Sequence, residues 1–459
     1  MSLVSTDLLR QMDLNGPRYT SYPTADRFVE AFGEDDHVQA LQQRLSSPAR
    51  ASALSLYVHI PFCESLCYYC ACNKIVTRHH ERAQPYLRYL NQELELHLAH
   101  LGRGQTLSQL HLGGGTPTFL NDEQLRNLLA MIRRGFNLVP GGEYSIEVDP
   151  RTVTGARLAV LAELGLNRLS FGVQDFDPAV QRAVHRMQPA EQVFELVAQA
   201  RQLGFESVNI DLIYGLPQQT PESFDRTLAQ VTALRPDRVA LYAYAHLPDR
   251  FKPQRRIQAA QLPAPAAKIA MLARSLEAFE KAGYEYVGMD HFALPSDALA
   301  VARRQGRLHR NFQGYSTQPD TDLIALGVSA IGRMGATYSQ NAKTLEEYCD
   351  RLDQGRLPVV RGLALSRDDL IRRSVIMALM CQGELQFESI ELGFLIDFKH
   401  YFSAELQALS PLQAQGLVQV GASGITVTAQ GWFFVRAVAM VFDRYLQADR
   451  NRARFSKII

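Results

Sequence analysis

An excess of charge of either sign, long apolar runs and cysteine are all scarce in this chain of 459 residues, and each scarcity excludes a class of protein. Its 48 basic side chains meet 47 acidic ones, a formal charge of +1, so binding of nucleic acid through bulk positive charge is excluded. No uncharged apolar run reaches the ~18 residues that a membrane span needs. The nearest, from Trp432 to Phe442, is shorter and carries Arg436. Asp7, Arg10 and Asp13 interrupt any apolar signal-peptide core. Six cysteines are too few to staple a secreted scaffold of this length. The expectation is a cytoplasmic protein with reduced thiols. With 46% hydrophobic and 21% charged residues it reads as globular, neither disordered nor fibrous.

What is present is a rhythm. From about residue 53 to 290, short β-like runs alternate with longer helix-like stretches. The runs start at Ala53 (ALSLYVH), Ser108 (SQLHLGG), Tyr144 (YSIEVDP), Arg168 (RLSFGVQ), Ser207 (SVNIDLIYG) and Arg238 (RVALYAYAH). Between them apolar residues recur at helical spacing, as in Tyr86, Leu87, Leu90, Leu94 and Leu98, or Phe194, Val197, Ala198, Ala200 and Leu203. Six such units imply a parallel sheet, because parallel neighbours need crossover helices. An open doubly wound sheet and a barrel both satisfy the pattern. Nearly every run, however, ends in groups capable of chemistry, and a site shared by the carboxyl ends of many strands is the arrangement of a barrel. The prediction is an α/β fold, a partial (β/α)6 TIM-like barrel over residues 51–364. It is preceded by an N-terminal arm, 1–50, that contains RYTSYPTADRF. A mostly helical C-terminal domain with a short hairpin, 365–459, follows.

Four of the cysteines, Cys63, Cys67, Cys70 and Cys72, crowd into YVHIPFCESLCYYCACNK. Thiolates at such spacing bind zinc or an iron–sulfur cluster. Zinc ribbons pair two clusters, and Cys349 and Cys381 stand alone, so an iron–sulfur site fits better. Three thiolates on one loop can hold three irons of a cubane and leave the fourth open, whereas Cys72 as a fourth ligand would close the site. The next strand runs into LGGGTPTFL, whose glycines allow positive φ and a close approach of backbone N–H groups to a ligand. No lysine follows in the manner of a nucleoside-triphosphate loop. Asp149 and Asp175 read as turn and cap formers. Glu147 and Asp211 lie among apolar strand residues and suit cationic or hydroxyl partners.

CxxxCxxC after the first strand resembles the signature of the radical S-adenosylmethionine (SAM) superfamily. Over nearly its whole length the chain further resembles the oxygen-independent coproporphyrinogen III oxidases of haem biosynthesis, also called coproporphyrinogen dehydrogenases. The resemblance is carried by RYTSYPTA, YVHIPFCESLCYYCACNK, GGGTPT, SIEVDP, RLSFGVQDF, NIDLIYGLPQQTPESF, YAHLP, GMDHFA, HRNFQGYSTQ and DTDLIALGVSAIG. It implies oxidative decarboxylation of two propionates to vinyl groups through a 5′-deoxyadenosyl radical, giving protoporphyrinogen IX. It also implies one [4Fe-4S] cluster on Cys63, Cys67 and Cys70, and two S-adenosyl-L-methionine molecules. Residues carried over for the cluster-bound molecule are Tyr57, Gly114, Glu147 and Ile331; for the second they are Gly115, Thr116, Gln174, Arg186, Asp211 and Ala245. His59 reads either as a site residue or as a satisfied strand histidine. The family commonly has asparagine where this chain has His185, and an aromatic where it has Leu112.

The implied partners are coproporphyrinogen III, an electron donor such as a flavodoxin or ferredoxin, and an unidentified electron acceptor. Nucleic acid is not expected as a partner, no membrane span is expected, and the chain is expected to be monomeric. Candidates for the substrate's four carboxylates are Arg18 and two runs, Arg250, Lys252, Arg255, Arg256 and Arg303, Arg304, Arg307, Arg310, though charge runs are more often solvated faces. Tyr19 and Tyr22 either cover a macrocycle or staple the arm. Two alternatives remain: a haem-trafficking relative, which typically lacks the thiol corresponding to Cys72, and a winged-helix regulator built on the C-terminal hairpin. The helix-like run from Trp432 to Leu446 carries only Arg436 and Arg444, too little charge for a recognition helix.

Overall fold

The six apolar runs form six strands in the computed structural model, which describes residues 6–12 and 14–448. They are β1 (Leu54–Ile60), β2 (Gln105–Gly114), β3 (Phe136–Val148), β4 (Arg168–Gln174), β5 (Ser207–Tyr214) and β6 (Arg238–Ala243). Each pairs in parallel with the next. The order never reverses, so the sheet offers no crevice of the doubly wound kind. Gln109, Glu143, Arg168, Asn209 and Arg238, from five successive strands, line one internal polar cavity of about 160 Å³. Only a sheet curled into a partial barrel lets five strands face one space.

A seventh parallel strand, β7 (Leu323–Leu326), pairs with the free edge of β1. It went unread in the sequence because the chain reaches it from β6 through some eighty residues that hold two helices (Pro265–Lys281 and Ala298–Arg304), short strands and loops, not through one crossover helix. Antiparallel strands extend both edges to twelve in all: Ile331–Met334, Thr337–Asn341 and Val359–Ala364 beyond β7, and His291–Ala293 with Glu285–Gly288 beyond β6.

Crossover helices start where the chemistry favours them. Asn121 caps Asp122–Gly135 by accepting from Gln124 N, and Thr220 with Pro221 opens Pro221–Leu234. Tyr86, Leu87, Leu90, Leu94 and Leu98 are buried against the sheet, as their spacing predicted. In Ala190–Gln202 the buried face is Val193, Leu196, Val197 and Ala200; Ala198 and Leu203 are exposed, so the expected stripe is rotated.

The arm is irregular over Arg18–Phe28 apart from one 3-10 turn at Ala25–Arg27. Tyr19 and Tyr22 are fully buried in a second apolar core built with Val287–Tyr315 and Ile371–Phe442. Tyr19 OH donates to Asp443 Oδ2 at 2.9 Å, and Arg436 donates to Pro17 O at 3.0 Å and to Gly16 O. The tyrosines are therefore staples and do not cover a ligand. Glu34–Leu45, by contrast, is a helix packed on Ala83–Leu101.

Near the C-terminus the predicted hairpin joins Glu384–Gln386 in a three-stranded antiparallel sheet. The run from Trp432 to Leu446 is not one helix. A 3-10 turn (Gly431–Phe434), a short helix (Val435–Met440), a turn and a second short helix (Arg444–Ala448) replace it. Arg436 is buried against the arm, so this segment presents no cationic recognition helix.

Candidate active site

β1 delivers the chain into the cysteine loop. Residues Phe62–Cys63 pair in parallel with Ile75–Val76, and Ile75 N donates to Pro61 O (2.7 Å) while Thr77 N donates to Cys63 O (2.9 Å). This neck closes a loop carrying Cys67, Cys70 and Cys72. Beside it the glycine turn after β2 presses against the loop's entry. A Cβ on Gly115 would lie 2.7 Å from Pro61 O, and one on Gly114 would lie 2.8 Å from the His59 ring at φ +117°. Only glycine fits either position. Gly114 N donates to Glu147 Oε2 (3.2 Å), Gly115 N to Ile60 O (2.8 Å) and Thr116 N to Phe62 O (2.9 Å). The N–H groups expected to reach a ligand are thus engaged in holding the loop.

Cys63, Cys67, Cys70 and Cys72 line one cavity of about 390 Å³ together with Gly115, Thr116, Gln174, Arg186 and Asp211. Tyr57 and Ile331, with His59 and His111, line a second cavity of about 560 Å³. Gly114, Glu147, Cys72 and Tyr242 belong to both. Of the set expected for the cluster-bound nucleotide, Tyr57 and Ile331 line only the second cavity while Gly114 and Glu147 line both; the second set, Ala245 apart, lines the first cavity together with the three ligand-type thiols. Ala245, two residues beyond β6, lines neither.

Cations surround the thiols. Arg186 is buried, donates to Gly172 O, to Asp149 Oδ2 (3.2 Å) and to Cys67 Sγ (3.4 Å), and Arg151 Nη2 lies 3.6 Å from the same sulfur. Burial would raise the Asp149 carboxyl, but Arg186 and Arg151 more than offset it and hold it below the usual range. Burial pushes the Cys63 thiol up to about 12. A hydrogen bond with Cys72 and the charge of Lys74 bring Cys70 down to about 6, against its burial. Asp211 accepts from Ser170 Oγ (3.0 Å) and Asn209 Nδ2 (2.8 Å), yet burial, then the Glu147 charge, lift it to about 6. Both ring nitrogens of His59 are partnered, Nδ1 with Tyr57 OH and Nε2 with Asn73 O, each at 3.0 Å. Asp149 does hold its turn, accepting from Arg151 N at 3.1 Å, and Asp175 accepts from Asp177 N at 2.7 Å.

Among the described residues no three His, Cys, Asp or Glu side chains converge closely enough for a single metal ion. The thiols instead stand around a cavity, partly exposed to it and flanked by Arg and Lys. That donor set fits an iron–sulfur cube, which needs three thiolates held apart and a cationic surround for its negative charge.

The sequence reading missed Asp149 and Arg151 as neighbours of the thiols, and it missed His111, Phe312, Gln313 and Ser329 in the second cavity. His111 sits on the inner face of β2, two residues before the glycines. Phe312 and Gln313 fall inside the HRNFQGYSTQ string and were available as signals. Of the candidate cations, Arg18 pairs with Asp290 and lies 5.3 Å over the Tyr242 ring, and Arg310 Nε donates to Arg18 O (3.2 Å). None of these candidate cations, Arg18 and Arg310 included, lines either cavity; Arg18 approaches them only through Tyr242, which lines both.

Comparison with known proteins agrees with this geometry. Residues 57–231 match the model of the radical SAM superfamily, and 365–434 that of the HemN C-terminal domain. An oxygen-independent coproporphyrinogen III oxidase of Pseudomonas aeruginosa is 51% identical over 455 residues, 99% of this chain and 98% of the relative. Its counterpart in Escherichia coli K12 is 49% identical over 452 residues, 98% of each. The solved structure of the coproporphyrinogen III oxidase from Escherichia coli, described as a radical SAM enzyme, superposes with a TM-score of 0.91 at 48% identity, covering 96% of this chain and 99% of that one. A curled parallel sheet, three thiols around one cavity and near-complete likeness to these relatives place the chain in the oxygen-independent coproporphyrinogen III oxidase family of radical SAM enzymes.

Proposed function

We propose that this protein converts coproporphyrinogen III to protoporphyrinogen IX without dioxygen, removing two propionate carboxyls as carbon dioxide and leaving two vinyl groups. The observation that carries the reading is the joining of two cavities at Cys72, Gly114, Glu147 and Tyr242, one ringed by thiols and the other walled by Tyr57 and His111. A [4Fe-4S] cluster, which Cys63, Cys67 and Cys70 would hold, would supply the one-electron reduction of S-adenosylmethionine that yields a radical able to take a hydrogen from the propionate β-carbon. Departure of carbon dioxide and one electron then completes each double bond.

The chain's own residues position and insulate. Cys63, Cys67 and Cys70 hold the cluster, and Arg186 and Arg151 offset the charge at Cys67. Tyr57, Gly114, Glu147 and Ile331 orient one nucleotide. Gly115, Thr116, Gln174, Arg186 and Asp211 orient a second, a reading supported by two adjoining cavities that share Gly114 and Glu147. Arg18 and Arg310, tied to each other beside Tyr242, are the cations best placed for substrate carboxylates. Abstraction of a hydrogen atom needs no protein base, so the contribution of the site is geometry and exclusion of water. The protein acts as a cytoplasmic monomer with an arm (1–50), a barrel (51–364) and a C-terminal domain (365–459), and draws on an external one-electron donor and acceptor.

The test is turnover. Anaerobically reconstituted, reduced protein given S-adenosylmethionine and coproporphyrinogen III should yield 5′-deoxyadenosine and the divinyl product. Cys70→Ser should lose both, along with the visible absorption of the cluster. Deoxyadenosine without decarboxylation, or stoichiometric zinc without iron, would overturn the reading. Haem binding with no turnover would give the chain to the haem-trafficking alternative.

A further inference from the structure

The proposed reaction draws an electron from outside the chain, and a docking surface for the carrier of that electron rests on that reading. The inner side of the 64–72 loop faces the cavity for nucleotide and substrate, and a protein carrying the electron must approach from the outer side. Two segments meet the middle of the loop, while His80 Nε2 lies 3.2 Å from Glu64 Oε1 at its start. In 182–187, Val184 O accepts from Tyr68 N (3.0 Å), His185 Nδ1 lies 2.9 Å from Leu66 O, and the His185 ring stacks on Tyr68 at 5.1 Å and 9°. In 247–256, Gln254 Nε2 donates to Tyr69 O (3.0 Å) and the Arg256 guanidinium lies 5.3 Å over the Tyr68 ring. His185 takes φ 56°, a left-handed conformation that asparagine tolerates more readily, so this stack comes with some backbone strain.

We propose that 182–187, 247–256 and the outer face of the cysteine loop form the docking surface of a small acidic protein that carries a one-electron redox group.

Charge is the first support. Arg182, Arg250, Lys252, Arg255 and Arg256 are all exposed, and none forms an ion pair with a carboxylate among the described residues. Several exposed cations elsewhere are neutralised, as in Arg103–Glu95, Arg126–Glu163, Arg274–Asp225, Lys281–Glu277 and Arg304–Glu285, whereas others, such as Arg50, Arg88 and Arg235, also have no carboxylate partner among the described residues but lie away from the thiol loop. Asp249 is the sole acid in the two segments. A chain of net charge +1 thus concentrates unpaired positive charge over its thiol loop, the arrangement that steers an acidic partner and speeds encounter. Apolar contact is the second support. Met187 and Leu247, two of the few large hydrophobic side chains exposed on the protein, stand in these same segments and supply the apolar centre such an interface needs. The path is the third, since Tyr68, at the middle of the patch, is one peptide bond from Cys67.

The test uses cluster-loaded protein under anaerobic conditions: wild type, Arg255→Glu/Arg256→Glu, Arg250→Glu/Lys252→Glu, and Arg50→Glu as a control. Arg50 is exposed and precedes the amino end of β1, at the opposite end of the barrel. The probe is flavodoxin, an acidic flavoprotein. Its affinity is read without turnover from flavin fluorescence, and its hydroquinone is compared with dithionite as the reductant. Each double reversal should weaken flavodoxin binding by about tenfold at low salt, flatten the salt dependence and slow flavodoxin-driven deoxyadenosine formation to match. Dithionite-driven rate and the KM for coproporphyrinogen III should stay unchanged. Unaltered affinity, or equal loss in Arg50→Glu, would overturn the proposal. So would a raised KM with dithionite, which would give the patch to the substrate. A wild type that makes no deoxyadenosine even with dithionite would instead refute the radical reading, and the affinities would still decide the surface.

Discussion

Replacing Glu93 with glutamine isolates one buried charge on which the second cavity is built. Glu93 lies in Ala83–Leu101 with no solvent exposure. Its carboxylate accepts from Gly327 N (2.7 Å), Asn341 Nδ2 (2.6 Å) and Tyr348 OH (2.6 Å), and no cation pairs with it among the described residues. Gly327 opens the turn that presents Ser329, Ala330 and Ile331 to the cavity. Tyr86 supports the same turn, its hydroxyl accepting from Val328 N (3.1 Å) and donating to His59 O (2.7 Å). Burial lifts the Glu93 carboxyl from 4.5 to about 7, the three donors opposing it. The folded state therefore binds this proton more tightly than the unfolded chain. The resulting stabilisation is complete below the unfolded value and is lost as pH rises through about 7. At about 1.4 kcal/mol per tenfold in proton affinity, ionisation of Glu93 costs the fold roughly 3 kcal/mol at alkaline pH. Glutamine keeps the shape and cannot ionise. Its oxygen, placed where Gly327 N and Tyr348 OH both donate, keeps those two bonds, and its amide then faces Asn341 Nδ2, so one bond is lost at every pH without altering the pH dependence. Urea unfolding of both proteins, anaerobic and reduced, between pH 5 and 9 should show the variant gaining on wild type by roughly 2–3 kcal/mol as pH rises. A difference independent of pH, or one that grows toward acid, would refute the reasoning.

Asp211 is ionised only above about 6, and a buried carboxylate there awaits a cation. Calorimetric S-adenosylmethionine binding should tighten as pH rises through that value, and Asp211→Asn should abolish the dependence. Arg186→Ala would leave the buried Asp149 with Arg151 alone and should cost roughly 3 kcal/mol in urea unfolding; Arg186→Lys, lacking the fork that also reaches Gly172 O, should recover only part. Tyr19→Phe removes a donor from the buried Asp443, which keeps Tyr445 N and Leu446 N, so a loss of about 1–2 kcal/mol is expected by thermal unfolding, with turnover falling only if the arm detaches.

Much of the barrel was legible because its strands are apolar runs set off by helical spacing, and because strand-end groups such as Glu147 and Asp211 have no reason to sit in a sheet unless a cavity lies beside them. Strand β7 was not legible. LIAL carries four apolar residues and no alternation, and only its pairing with β1 marks it as a strand. The edge strands failed for the same reason, being three to six residues long. The break after Met440 was hidden because VRAVAMVFDRYL keeps helical spacing; Asp443 breaks it, accepting locally from Tyr445 N and Leu446 N to cap the next helix and from Tyr19 OH across the fold. In the site, residue types were readable but their engagements were not. Nothing in GGGTPT says that its N–H groups bond to Ile60 and Phe62, because that depends on how β1 and β2 align.

The balance of charge in the composition conceals a division across the cysteine loop. On its inner side Arg186 and Arg151 share Asp149 and reach Cys67, so each cation there is fixed by a carboxylate and a sulfur at once. Such groups set the potential at the thiols but cannot attract anything from solution. On the outer side the five exposed cations have no carboxylates to hold them, and their field extends about a Debye length into solvent. A loop that must accept electrons from a protein while admitting only small molecules to its cavity needs both arrangements. If the inner ones set the chemistry and the outer ones the encounter, substitutions at Arg186 should change dithionite-driven and flavodoxin-driven turnover alike, whereas substitutions at Arg255 and Arg256 should separate the two.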